Sequence, residues 1–172
     1  MKNQPLVNRV AQSSLVNFNL EDYYPQAEIL VFDIKEYLFK GLILREKDFR
    51  QALKEIDWGQ YAGKNLRVYC STDAIVPTWA YQLVVSLATP YALAIRFGSQ
   101  EEFLAGHYQA VLSQLDLAEF EGKPVVVKGC SAKPVPTSAY MEITRILQPV
   151  AKTIMFGEPC STVPIYKQKK KK

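Results

Sequence analysis

Apolar and polar residues alternate along this chain in two ways, one typical of strands and one typical of helices. Val16–Leu20 alternates residue by residue, which predicts a half-buried strand, and Phe49–Ile56 has apolar residues at i, i+3, i+4 and i+7, which predicts an amphipathic helix. Two more strands are predicted over Ile29–Phe32 and Leu42–Leu44, with a short helix over Ile34–Phe39 between them. After residue 65 the alternation is regular, with strands predicted over Leu66–Tyr69, Ala92–Phe97, Pro124–Val127 and Thr153–Phe156 and helices over Pro77–Leu87, Glu101–Leu115 and Thr137–Leu147.

Strands that alternate with helices predict the α/β class. We expect a layered sandwich with a mostly parallel or mixed sheet in the C-terminal two-thirds, together with an N-terminal arm over residues 1–14 and antiparallel strand(s). The length of 172 residues suits one compact domain. The sequence therefore predicts a single α/β domain over residues 1–166, followed by a disordered lysine-rich tail over residues 167–172.

Charge and composition narrow the class of protein. Five of the 21 basic residues lie in the tail, so the rest of the chain has 16 basic residues against 17 acidic ones. This balance argues against a nucleic-acid-binding face. No stretch is long and apolar enough to predict a membrane span, no secretion signal is predicted, and no glycine-rich nucleotide motif is present. We expect a cytoplasmic protein without membrane or nucleic-acid partners, and the sequence is also compatible with a homo-oligomer.

Three cysteines occur in one repeated phrase of Cys-Ser, a short loop, then Val-Pro and a tyrosine. Cys70, Cys130 and Cys160 are each followed directly by serine, and the first two phrases share Val-Pro-Thr-x-Ala-Tyr in full. In an open α/β sheet, residues just past the carboxyl ends of the strands line the ligand crevice. If the strands are parallel neighbours, the three sulfurs can converge on one point.

Three converging thiolates repel one another unless a soft metal compensates their charge. We therefore predict a site in which Cys70, Cys130 and Cys160 hold zinc or an iron–sulfur cluster. A fourth ligand would come from Asp73, His107, Glu158, water or substrate, with Asp73 equally suited to cap a helix. The serines that follow the cysteines would donate hydrogen bonds to sulfur or to a cofactor; they are Ser71, Ser131 and Ser161.

Three other interpretations stay open at this point. The cysteines are structural in a small-molecule-binding, anion-binding or adaptor module, whose loops offer N–H groups near helix N-termini. Alternatively, one cysteine is reactive in a thiol-redox or sulfur-transfer enzyme, although the chain has no Cys-x-x-Cys pair. Finally, the phrase is only a packing element with buried thiols.

The cysteine phrases, with Phe32–Lys35, Gly41–Arg50 and Val150–Pro164, are similar to an uncharacterised bacterial family, the domain of unknown function number 2480. The resemblance covers nearly the whole chain apart from the lysine tail. It implies a bacterial cytoplasmic protein with no assigned activity and with no catalytic residues to carry over. An association of the family with iron–sulfur assembly genes implies metal-cluster assembly proteins as partners.

Overall fold

A computed structural model describes residues 14–129, 132–158 and 161–169. Within these residues the chain forms seven strands and four α-helices, which are joined by loops and short 3-10 turns. The strands are β1 (Val16–Phe18), β2 (Ile29–Asp33), β3 (Asn65–Tyr69), β4 (Ala94–Phe97), β5 (Pro124–Lys128), β6 (Thr153–Glu158) and β7 (Ser161–Lys167). The helices are α1 (Glu46–Glu55), α2 (Thr78–Ala88), α3 (Gln100–Leu112) and α4 (Thr137–Leu147). None of these helices is long and apolar enough to cross a membrane.

The strands form two sheets, which confirms the predicted α/β class. One sheet has the order β2-β3-β4, and all its strands are parallel. The other has the order β1-β5-β6-β7, in which the first three strands are parallel and β7 pairs antiparallel with β6. The antiparallel pair therefore lies in the C-terminal region.

The chain divides into two compact units. The inserted unit is Pro25–Gly106, and the terminal unit comprises the described parts of Met1–Tyr24 and His107–Lys172. Each unit contains one of the two sheets. The predicted domain boundaries at residues 1–166 stay a prediction.

Each unit has its own apolar core, formed where helices cover one sheet. In the inserted unit, buried side chains of β2 and β3 pack with Phe49 and Leu53 of α1 and with Ala80, Val84 and Ala88 of α2. In the terminal unit, the corresponding positions are Tyr108 and Leu112 of α3 and Ala139, Ile143 and Leu147 of α4. The spacing of four residues within each helix is typical of the apolar stripe that an amphipathic helix buries.

The two units repeat one order of elements: strand, 3-10 turn, helix, 3-10 turn, strand, helix, strand. The inserted unit contains β2, the turn Ile34–Tyr37, α1, the turn Trp58–Tyr61, β3, α2 and β4. The terminal unit contains β1, the turn Leu20–Tyr23, the C-terminal part of α3, the turn Ala118–Phe120, β5, α4 and β6. Only β7 has no counterpart among the described strands of the inserted unit.

Individual residues confirm that the units share one fold. From α1 onward the equivalent residues are 59 positions apart, and α2 and α4 have the same length and the same three buried positions. Gly63 and Gly122 stand at the same turn with φ of 68° and 67°. After the first strand, Phe18 stacks on Tyr23 and Phe32 stacks on Tyr37, each pair with ring centroids 5.2 Å apart.

Three parts of the chain differ from the sequence prediction or fall outside the structure. Residues 42–44 form no strand, because Ile43 makes only an isolated bridge to Phe39, and the predicted helix over Ile34–Phe39 is a single 3-10 turn. Strand β7 was not predicted. It includes Lys167, the first residue of the predicted tail, and the next residue, Gln168, donates its N–H to the Lys152 carbonyl at 2.9 Å. The predicted arm over residues 1–14 lies outside the described residues except for its last position.

Candidate functional site

Cys70 lies directly after the central strand of the inserted unit, as the sequence predicts. Its thiol is free and half-buried, and its side chain packs against the core of that unit. Asp73, the predicted further ligand, is exposed in the same loop. The first predicted ligand therefore has the environment of a small, partly buried apolar residue at the carboxyl end of the central strand.

The other two predicted cysteine ligands, Cys130 and Cys160, lie outside the described residues, as does Ser131. Within the part of the chain that the structure describes, no three His, Cys, Asp or Glu side chains are grouped so that they could hold a metal ion. The three-cysteine site and the cofactor roles of the serines therefore stay predictions.

The third cysteine phrase differs in structure from the first two. After Cys70 and Cys130 the chain reaches a helix that begins directly after Val-Pro, at Thr78 and Thr137. After Cys160, by contrast, Ser161 begins β7, and the Val-Pro pair lies inside that strand. The expectation of one repeated strand–loop arrangement is therefore wrong for the third phrase, and duplication of the unit accounts for the other two.

A carboxylate holds the Cys-Ser loop of the inserted unit in place. Asp33 Oδ1 accepts hydrogen bonds from the N–H groups of Lys35 and Ser71, each at 3.0 Å. Partial burial acts to raise the pKa of Asp33, but hydrogen bonds from the Ser71 hydroxyl and from both N–H groups, with the nearby Lys35 charge, outweigh it. The pKa of Asp33 is therefore lowered from its ordinary value of 3.8.

The terminal unit uses a carboxylate in the same way. Glu21 Oε1 accepts hydrogen bonds from the backbone N–H groups of Ala132 and Lys133, the latter at 2.9 Å. Glu21 lies in the first turn after β1, as Asp33 caps the first turn after β2. In both units, a carboxylate of the turn after the first strand thus accepts hydrogen bonds from N–H groups of the loop that follows the central strand.

His107, the only histidine of the chain, forms a hydrogen bond within the terminal unit. Its Nε2 lies 2.8 Å from the carbonyl oxygen of Tyr23. Because a carbonyl oxygen only accepts hydrogen bonds, Nε2 carries the proton in this contact. His107 therefore links α3 to the first turn of the terminal unit.

The terminal unit also contains a groove that the sequence did not predict. It has a volume of about 480 Å³ and lies between α4 and the strands β6 and β7. We call it the α4–β7 groove. Its lining is Val127, Thr137, Tyr140, Met141, Thr144, Arg145, Gln148, Ile154, Met155, Phe156 and Ile165.

The α4–β7 groove is mainly apolar, and its charged residue is neutralised. Tyr140 and Phe156 meet edge to face with centroids 5.7 Å apart. The guanidinium of Arg145 forms two hydrogen bonds to the Glu142 carboxylate, at 2.6 and 2.9 Å. Met141 is 70% exposed and Ile165 is 52% exposed, so apolar side chains remain open to solvent at this groove. The exposed Met141 on an otherwise amphipathic helix was the one sequence signal that could have indicated it.

These features define the class of the protein: an α/β protein of two like units, one of which has an apolar groove. The model of the family described as "Protein of unknown function (DUF2480)" matches residues 4–168, so the chain belongs to this family. Neither the curated proteins nor the solved structures contain a match.

Proposed function

We propose that this protein is a small-molecule-binding module and that the α4–β7 groove takes a largely apolar, uncharged ligand. The groove carries the proposal, because its volume of about 480 Å³ falls within the range of roughly 300–1,000 Å³ that is typical of ligand pockets. Such pockets combine mostly apolar walls with a few polar groups that orient the ligand.

The chemistry of the lining supports an uncharged ligand. The charge of Arg145 is compensated by the Glu142 carboxylate, so the lining offers no uncompensated charge that would favour an anionic ligand. The Thr144 hydroxyl donates its hydrogen bond to the Tyr140 carbonyl at 2.8 Å, so its proton is engaged inside α4. Thr137 and Gln148 remain as polar groups of the lining that can orient a ligand.

Fluorescence titration with N-phenyl-1-naphthylamine, an uncharged apolar probe, tests the proposal. We expect saturable binding to the wild-type protein and loss of binding in Ile165→Asp, because this change places a carboxylate on the β7 wall of the groove. Leu42→Asp is the control, since Leu42 is 69% exposed and lies outside the groove. It should bind the probe like the wild type.

Two results would contradict the proposal. One is the absence of saturable binding to the wild-type protein. The other is equal binding by wild type and Ile165→Asp when circular dichroism shows that both are folded.

The cysteine metal site is a second candidate, and the ends of β5 and β6 favour it. Lys128 and Gly157 are partners in the parallel register, and the Gly129 N–H donates to the Gly157 carbonyl at 3.3 Å. In the sequence, Cys130 and Cys160 each follow the last residue of their strand by two positions. Thiolates suit zinc and iron–sulfur clusters.

In this second candidate, Cys70 supplies the third thiolate, and the protein serves metal-cluster assembly in the cytoplasm. Protein purified anaerobically should contain about one equivalent of zinc, or several of iron and sulfide. Cys130→Ser and Cys160→Ser should lose the metal, with Asp73→Asn as the variant that asks whether that carboxylate is a ligand. Metal-free wild-type protein that folds normally after this purification would refute the candidate.

A further inference from the structure

Two arginines lie side by side on the sheet of the inserted unit. Arg67 on β3 and Arg96 on β4 are direct partners in the parallel register. Residues paired in this way point to the same face of a sheet, on strands about 4.8 Å apart. Both side chains are half-buried, so their charges are not fully screened by water.

Neither arginine is compensated by a carboxylate among the described residues. Arg67 donates to the Gly98 carbonyl at 3.4 Å and lies 4.6 Å from the centre of the Tyr69 ring. The Nε of Arg96 is buried and has no hydrogen-bond partner in the described structure. A buried N–H of a charged group without a partner is costly, and two adjacent cations repel each other.

The side chain of Arg96 lies against a glycine of α3. Gly106 lies inside α3, and a Cβ atom at this position would be 3.0 Å from Nη1 of Arg96. Glycine in a helix interior costs about 1 kcal/mol relative to alanine. A side chain at position 106 would crowd the guanidinium of Arg96.

The terminal unit shows that the fold itself does not require these arginines. The residues equivalent to Arg67 and Arg96 are Val126 on β5 and Met155 on β6, which are likewise partners in the parallel register. Both are apolar, and Val126 is buried. The same pair of positions is therefore apolar in one unit and doubly cationic in the other.

From this pair we infer that the face of the inserted sheet at Arg67 and Arg96 binds an oxyanion, either a phosphate or a carboxylate group of a small molecule. The planar guanidinium matches both groups with paired N–H donors. A bound oxyanion supplies the acceptor that Arg96 Nε lacks and the negative charge that the two cations lack. This site is separate in sequence and in unit from the α4–β7 groove.

The test follows the arginine Nε–H signals by ¹H–¹⁵N NMR. Inorganic phosphate and acetate are titrated separately, with chloride keeping the ionic strength constant. We expect a saturable shift of the Arg96 signal with at least one of the two anions, and none with chloride alone. The stronger of the two titrations identifies the anion class.

Arg67→Val and Arg96→Met introduce the residues of the terminal unit and should fold. Each should bind the anion at least about tenfold more weakly, as expected for the loss of a charge-assisted hydrogen bond. In chloride buffer alone, their midpoints of thermal unfolding should be no lower than that of the wild type, because one of two repelling cations is gone. Arg50→Gln is the control, since Arg50 is exposed on α1 and pairs with Glu46 at 2.9 Å.

The inference is overturned if neither anion shifts the Arg96 signal in the wild-type protein, a result that does not depend on any variant. It is also overturned if Arg67→Val and Arg96→Met bind as tightly as the wild type. A lower unfolding midpoint of both variants in chloride buffer would show that the arginines stabilise the fold without a ligand.

Discussion

At the scale of single residues, a carboxylate in each unit binds the loop that follows the central strand. Asp33 accepts from Lys35 and Ser71, and Glu21 accepts from Ala132 and Lys133. Each carboxylate joins the turn after the first strand of its unit to the loop after the central strand. This contact fixes the carboxyl edge of the sheet.

Asp33→Ala should lower the free energy of unfolding by about 1–2 kcal/mol at pH 7, because the variant loses a turn cap and its hydrogen bonds to Ser71. The pKa of Asp33 is lower in the folded protein than its ordinary value of 3.8, so its ionised form stabilises the fold. This contribution is present above pH 3.8 and is lost as the pH falls through the folded-state pKa. Urea unfolding at pH 7 and at acid pH measures the difference.

Glu36→Gln provides the comparison for this experiment, because Glu36 is exposed in the turn that Asp33 caps. It should unfold like the wild type at both pH values. A cost of Asp33→Ala that is as large in acid as at neutral pH would show that the carboxylate charge does not contribute.

At the scale of elements, a glycine with positive φ lies close to the end of the last parallel strand of each unit. Gly98 follows β4 with a φ of 103°, and Gly157 lies near the end of β6 with a φ of 128°. Residues with a side chain rarely adopt this backbone conformation. The two positions are equivalent in the two units but differ in what surrounds them.

Gly157→Ala should destabilise the protein by about 3 kcal/mol, and Gly98→Ala by about 1–2 kcal/mol. At Gly157 the new Cβ would meet the backbone carbonyl oxygen of Ser161, which β7 holds in place. At Gly98 it would meet the flexible carboxylate end of Glu102. Thermal and urea unfolding of both variants measures the difference, and equal costs would contradict this account of the β6–β7 pair.

The sequence predicted most elements because local rules determine them. The predicted helix Thr137–Leu147 is the observed α4, since Pro136 fixes its start and the apolar stripe fixes its face. The sequence did not predict strand β7, because Val163 and Pro164 belong to the third Cys-Ser phrase and the Val-Pro pairs of the first two phrases each precede a helix. As the edge strand of its sheet, β7 tolerates a residue without an N–H.

At the scale of the whole molecule, the chain contains one fold twice, with one copy interrupting the other in sequence. The repeated Cys-Ser phrase was visible, but the rest of the duplication was not, because most equivalent residues share only burial or position. Phe49 and Tyr108 are an example, as both are buried in the core of their own unit. For the α4–β7 groove the sequence offered no signal beyond Met141, since Ile165 comes from the unpredicted strand β7.

The central claim is that the α4–β7 groove binds an apolar molecule, and methyl NMR with N-phenyl-1-naphthylamine tests it most directly. The chain has three methionines, of which Met141 and Met155 line the groove. We predict saturable shifts of their methyl signals and of the Ile165 signal, while Ile75, which is 94% exposed in the inserted unit, stays unchanged. Unchanged Met141 and Met155 signals at saturating probe, or shifts of equal size at Ile75, would contradict the claim.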